Sequence, residues 1–146
     1  MRTVRSAAAV YAYEDIREVH LEITSRCNAA CPQCPRNLAG GATNPALPLT
    51  ELSLDDVRKI FPEDFVRQLR KVYLCGNYGD AMVAGSTLPA LEYLRRASPS
   101  LVLGIHTNGS GRTAAWWGAL ARVVSYCRFG IDGLEDTNHL YRRGTS

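Results

Sequence analysis

The chain has 146 residues, 46% of them hydrophobic and 21% charged, with a formal net charge of +3. These values fit one globular domain and argue against disorder, collagen-like repetition and a membrane partner. The basic residues are interspersed with acidic ones and form no stripe, which argues against nucleic acid as a partner.

At the N-terminus, Arg2 and Arg5 precede "AAAVYAY", a weak apolar run near the ~7-residue lower limit of a secretory signal, and acidic residues follow at once. A cytoplasmic location is expected. Five cysteines, an odd number with no export signal, point to reduced thiols, metal ligation or catalysis in place of a disulfide framework. Residues 1–16 read as an N-terminal extension and 17–146 as the core domain.

In chain order, "REVHLEIT" (17–24) alternates Val19, Leu21 and Ile23 with polar neighbours, the period of a strand with one buried face. It leads into "CNAACPQCPR" (27–36). The segment 37–52 is punctuated by Gly40, Gly41, Pro45 and Pro48 and reads as a long loop. Ser53, three residues before Asp56, predicts a helix N-cap, with a helix running to about Phe61 and a second short helix from Pro62 through Leu69.

"KVYLC" (71–75) has no alternation and predicts a strand buried on both faces. "GNYGDAMVAG" is then a glycine-bearing loop. Leu88, Leu91 and Leu94 recur at helical spacing, "LVLGIHT" predicts another buried strand, and "NGSG" a turn. Residues 113–124 suit a helix, "YCRFGI" (126–131) a fourth strand, and "DGLED" a turn.

Strands alternating with helices imply an α/β fold with parallel neighbours, since a parallel pair needs a crossover. The strand C-terminal ends then share one edge, where ligand sites form. The cysteine loop, "GNYGD", "TNGSG" and "DGLED" should all meet there.

Thiolates are soft ligands that select zinc, copper(I) or iron-sulfur clusters. Cys27, Cys31 and Cys34 are three where a structural zinc site or a cubane cluster offers four positions. The open position suits a small molecule that coordinates the metal group directly.

This spacing, placed after the first strand of a βα series, resembles the signature of the radical S-adenosylmethionine (SAM) superfamily. The resemblance covers roughly residues 17–144 and implies the first four units of a partial TIM-like barrel of (βα) repeats. It implies a 4Fe-4S cluster held by Cys27, Cys31 and Cys34, with SAM chelating the fourth iron through its amino and carboxylate groups. Reductive cleavage of SAM would give a 5′-deoxyadenosyl radical that abstracts hydrogen from a substrate, with the electron coming from a reductant such as flavodoxin or ferredoxin. The substrate, a peptide or small molecule, is not legible.

"YGDA" (78–81) resembles the family's cofactor-facing Gly-Gly-Glu-Pro-like segment, which assigns Tyr78, Gly79 and Asp80 to SAM binding. "HTNG" and "IDG" resemble positions near the cofactor and add Asn108 and Asp132. Three positions depart from the family pattern and bear on adenosine binding: Gln33 where an aromatic residue is frequent, Ala81 where Pro is usual, and Gly130 where a Ser contacts the ribose.

The family core typically has six βα units, and only four strands are read here. The chain is therefore expected to be a truncated piece with a buried-type strand at its open edge, prone to instability or aggregation. The alternative reading is a zinc or iron-sulfur module serving structure or electron transfer, with Cys75 or His20 as fourth ligand. A nucleic-acid-binding zinc knuckle would need its fourth ligand close to Cys34, where "PRNLAGGATN" has neither Cys nor His. Cys75 and Cys127 read as small buried hydrophobes and Trp116 and Trp117 as helix packing, while His106 and His139 are given no role.

Overall fold

The computed structural model describes residues 11–145. Most of the "AAAVYAY" run therefore lies outside the described residues, as does most of the expected N-terminal extension. The described end of that extension is packed: a 3₁₀ turn, Tyr13–Asp15, stacks Tyr13 on Phe65 with ring centroids 4.9 Å apart.

Four parallel strands form one sheet in the order β1-β2-β3-β4: β1 Glu18–Leu21, β2 Lys71–Leu74, β3 Val102–Thr107 and β4 Tyr126–Phe129. The crossovers carry α1 (Leu54–Ile60), α2 (Glu63–Gln68), α3 (Thr87–Ala97) and α4 (Ala114–Val123). Because each strand is added beside its predecessor in one direction, right-handed crossovers put every helix on the same face of the sheet. The expected α/β architecture of parallel repeats is thus observed.

Local chemistry explains the boundaries. The Ser53 hydroxyl accepts from the Asp56 N–H at 3.1 Å while the Asp56 carboxylate accepts from the Ser53 N–H at 3.0 Å, a reciprocal capping box that starts α1. Pro62 caps α2, and the Thr113 hydroxyl accepts from the Trp116 N–H to cap α4. A short helix, α5 (Asn138–Tyr141), follows β4 in a stretch whose sequence had no clear helical period.

The core fills the space between sheet and helices. Leu21, Val72, Leu74, Leu103 and Ile105 from the strands meet Val57, Phe61, Val66, Leu91, Leu94 and Leu120 from the helical layer. One expectation fails for β2, which is not buried on both faces, and holds only in part for β3, where Leu103, Gly104 and Ile105 are buried but Val102 is exposed and His106 half-buried. Residues alternate along β2, with Val72 and Leu74 buried and Lys71 and Tyr73 only half-buried. β4, expected as a buried-type strand, is half-buried to exposed throughout. The physical reason is the one-sided winding, which covers a single face and leaves Glu18, His20, Lys71, Tyr73, His106, Tyr126 and Arg128 on the other by register.

Arg95 on α3 ties the end of the sheet remote from the strand C-termini. Its guanidinium donates to Pro99 O and Leu101 O, both at 2.7 Å, to Val123 O at 2.9 and 3.0 Å, and to Ser125 Oγ at 3.2 Å. Ser125 Oγ in turn accepts from the Leu103 N–H at 3.1 Å, joining β3 to the segment before β4. Replacing Arg95 with Met keeps the packing of the side-chain stem and removes these donors. An Arg95→Met variant is expected to lose about 2 kcal/mol of stability, seen as a lower urea midpoint with an unchanged denaturant slope.

Candidate functional site

The loops after all four strands surround a cavity of about 480 Å³. All eight residues singled out from the sequence line it: Cys27, Cys31, Cys34, Tyr78, Gly79, Asp80, Asn108 and Asp132. This convergence follows from the parallel sheet, which puts every strand's C-terminal end at one edge.

The cysteine loop is shaped by its own backbone and by two buried polar residues. The Cys34 N–H donates to Cys31 O at 3.0 Å and the Asn37 side-chain amide to Cys31 O at 3.1 Å. The Arg36 guanidinium, buried beneath the loop, donates to Ala29 O, and its Nε has no partner among the described residues. Where the long loop returns toward α1, the Ser25 N–H donates to Thr50 O at 3.1 Å and the Leu52 N–H to Ile23 O at 2.9 Å. From the far side of the sheet, the Ala30 N–H donates to Arg143 O at 2.7 Å.

All three thiols are free, Cys31 buried and the other two half-buried. Cys27 Sγ accepts from the Ala29 N–H at 3.3 Å and from Asn108 Nδ2 at 3.7 Å, and Cys31 Sγ accepts from Arg142 Nη1 at 3.8 Å. Burial pushes the Cys27 thiol above its ordinary value, aided by the Asp80 and Cys31 charges, while the Ala29 N–H and Arg36 oppose this. Among the described residues, no three Cys, His, Asp or Glu side chains converge closely enough to enclose one metal ion. The three thiols all line the cavity, and two of them receive N–H donors.

Asp80 is a structural tie within the cavity wall. It is 5% exposed, and its Oδ1 accepts from the Met82 N–H at 3.0 Å while its Oδ2 accepts from the Asn108 N–H at 2.7 Å. The first bond caps a 3₁₀ turn, Ala81–Val83, and the second fastens the β2 loop to the β3 loop. The Asp80 N–H donates to Arg26 O at 2.8 Å, so three strand-end loops meet at this residue.

Tight packing surrounds it. A Cβ at Gly79 would lie 1.9 Å from Thr24 O, and one at Gly76 would lie 2.0 Å from Gly79 O. The Gly79 carbonyl is therefore packed over Gly76. Tyr78, by contrast, is 41% exposed at the cavity mouth. Asn108 Nδ2 also donates to Asn28 Oδ1 at 2.9 Å, and Asn108 Oδ1 accepts from the Ser110 N–H at 2.8 Å. Asp132 forms an ion pair with Arg142, whose guanidinium bridges to Cys31. Burial works against the Arg142 charge, but Asp132 and Cys31 outweigh it and raise its affinity for the proton.

Several lining residues were missed in the sequence. Cys75, read as a buried hydrophobe, is half-buried and faces the cavity, as do His106, Arg128, Tyr141 and Arg142. Strand parity was the available signal for both His106, whose strand reads as a buried one, and Arg128, its register partner. Cys127 does pack against the core, as do Trp116 and Trp117, which also meet edge to face at 4.9 Å. His20 is turned to the open sheet face, stacked on Tyr73 and bonded to the Cys75 carbonyl.

No protein-family model matches the chain. Over 103 residues it is 29% identical to the FeMo cofactor biosynthesis protein NifB of Methanocaldococcus jannaschii, a stretch covering 66% of this chain and 33% of that protein. Its fold is similar to that of BtrN in complex with AdoMet and 2-DOIA, with a TM-score of 0.59 and 15% identity over 77% of this chain and 44% of the other. It is likewise similar to BtrN in an open conformation, with a TM-score of 0.59 and 18% identity over 84% of this chain and 53% of the other. The chain spans about a third of the curated relative's length and about half of the solved chains'. The chain thus shares sequence likeness with NifB over 103 residues and shares its α/β fold of parallel strands with BtrN.

Proposed function

We propose that the chain is a radical SAM enzyme core in which Cys27, Cys31 and Cys34 hold a 4Fe-4S cluster and Tyr78, Gly79, Asp80, Asn108 and Asp132 surround SAM. The observation that carries this reading is the meeting of three free thiols and four strand-end loops at one cavity. When bound, the cluster and SAM would supply the reductive cleavage that yields a 5′-deoxyadenosyl radical for hydrogen abstraction. A one-electron donor such as flavodoxin or ferredoxin would be the partner, and the substrate a peptide or small molecule.

The chain's own residues have definable tasks. N–H donors from Ala29 and Asn108 reach Cys27 and one from Arg142 reaches Cys31, contacts that would orient the sulfurs for ligation. Asp80 fixes the spacing of three loops, so the cavity wall is set before any ligand arrives. The alternative zinc module loses one of its two candidate fourth ligands, because His20 is committed to Tyr73 and the Cys75 carbonyl, while Cys75 lines the same cavity as the three cysteines. No helix among the described residues is long and apolar enough to cross a membrane. That agrees with action in an aqueous compartment, which we take to be the cytoplasm.

Anaerobic reconstitution with iron and sulfide, followed by electron paramagnetic resonance of the reduced protein, tests the reading. A cluster signal that changes when SAM is added is the expected result, and no cluster, or a signal indifferent to SAM, would overturn it. Single Cys27→Ser, Cys31→Ser and Cys34→Ser variants should each lose most of the bound iron, whereas Cys75→Ser and Cys127→Ser should retain it, measured as iron per chain.

Asp80→Asn would set an amide N–H₂ against one of two backbone N–H donors. It is expected to cost about 1–3 kcal/mol of stability and to weaken SAM binding to the reconstituted protein. Thermal unfolding and equilibrium dialysis would read the two effects separately.

A further inference from the structure

The sheet face opposite the helices carries side chains that the cofactor reading leaves unused. His20, Tyr73 and His106 lie side by side across β1, β2 and β3, with ring centroids 5.0 and 5.4 Å apart, and Tyr126 of β4 follows at 5.9 Å. Gly104 makes room for this row, since a Cβ there would lie 2.2 Å from Tyr126 Cζ. Cations border it: Lys71 Nζ stands 5.0 Å from the centre of the Tyr73 ring, and the Arg128 guanidinium 5.7 Å from that of Tyr126.

The neighbouring charges are unequally satisfied. Lys71 pairs with Glu18 at 3.5 Å, Asp132 pairs with Arg142, and the Glu22 carboxylate accepts from the Asn77 backbone at 3.0 Å and from its side-chain amide at 2.5 Å. The Asp80 carboxylate is spent on two backbone N–H groups. Arg128 has neither a hydrogen bond nor an ion pair among the described residues, and His106 Nε2 is buried without a partner.

These two residues are register partners on adjacent strands, and both line the cavity that also holds the three cysteines. Burial, followed by the charges of Arg128, His20 and Lys71, holds the His106 imidazole below its ordinary pKa. Arg128 is exposed, so its guanidinium is free to meet a ligand, and the buried His106 Nε2 beside it lacks the partner that a buried polar atom normally has.

Resting on the function proposed above, we propose that Arg128 and His106 form the subsite that recognises an anionic oxygen group, carboxylate or phosphate, on the substrate. The fork of Arg128 would take two of the oxygens, His106 Nε2–H would donate to one, and the aromatic row would support the adjoining part of the molecule. The radical-generating end of the cavity and the anion-binding end would then hold the substrate between them.

The test uses the 146-residue chain without iron. Histidine Cε1–Hε1 resonances are followed by NMR during titration with inorganic phosphate and, separately, acetate, at ionic strength held constant with chloride. The His106 signal is assigned by its loss in His106→Gln. It should shift saturably with at least one anion, with apparent affinity about tenfold weaker in Arg128→Gln and largely kept in Arg128→Lys. Tighter binding of phosphate marks a phosphorylated substrate, and tighter binding of acetate a carboxylate. No saturable shift with either anion, or equal affinity in Arg128→Gln, overturns the proposal.

Repeating the titration in the Cys27→Ser/Cys31→Ser/Cys34→Ser chain separates this proposal from the cluster reading, because anion binding there should be unchanged. Failure of reconstitution with intact anion binding would count against the cluster alone. Displacement of bound phosphate by SAM in the reconstituted protein would assign the subsite to the cofactor's carboxylate and overturn the substrate proposal.

Discussion

A sheet wound in one direction cannot cover both of its faces with its own crossovers. In this chain the strand order β1-β2-β3-β4 puts the helices on one side, where Val72, Leu74, Leu103 and Ile105 find an apolar layer. The same winding sends the four following loops to one edge. Core, cavity and open face are three consequences of that single constraint. Each strand accordingly divides its residues by parity, one set building stability and the other facing the space where chemistry would occur.

The rim above the sheet is tied together by hydrogen bonds between residues of different loops, several of them made by side chains. Asp80 is the junction, accepting from Met82 and Asn108 while its own N–H reaches Arg26. A buried carboxylate with both oxygens accepting backbone N–H bonds has its hydrogen-bonding needs met within the protein. Such a rim is preorganised, and the cost of ordering it falls on folding instead of binding. The thiols sit in the same framework, Cys27 tied to Asn108 and Cys31 to Arg142, so the loops after β1, β3 and β4 all bear on the sulfurs.

Where a single local interaction decides the outcome, the sequence was readable. Ser53 and Asp56 announced the start of α1, Pro62 separated α1 from α2, and the alternation of Val19, Leu21 and Ile23 marked the buried face of β1. The cysteine spacing and "YGDA" were legible as a resemblance, and the residues they named all reached the cavity. What stayed hidden depends on tertiary winding. "KVYLC" and "LVLGIHT" look uniformly apolar because Tyr73, Gly104 and Cys75 score as core residues, yet they occupy the uncovered side. Arg128 and Arg142 gave no local signal, since an isolated arginine acquires meaning only from what lies across from it. The same holds for Arg36, whose burial arises from the loop folded over it.

The bond from the Ala30 N–H to Arg143 O joins segments that leave the sheet at its two opposite edges. Across the strands those edges are three spacings apart, about 14 Å. The cysteine loop spans that gap above the sheet, and Arg142 reinforces the join through Cys31 and Asp132. The two outer strands of the sheet are therefore linked twice, once through the strands between them and once through the loops above, and the cavity lies inside that closed circuit.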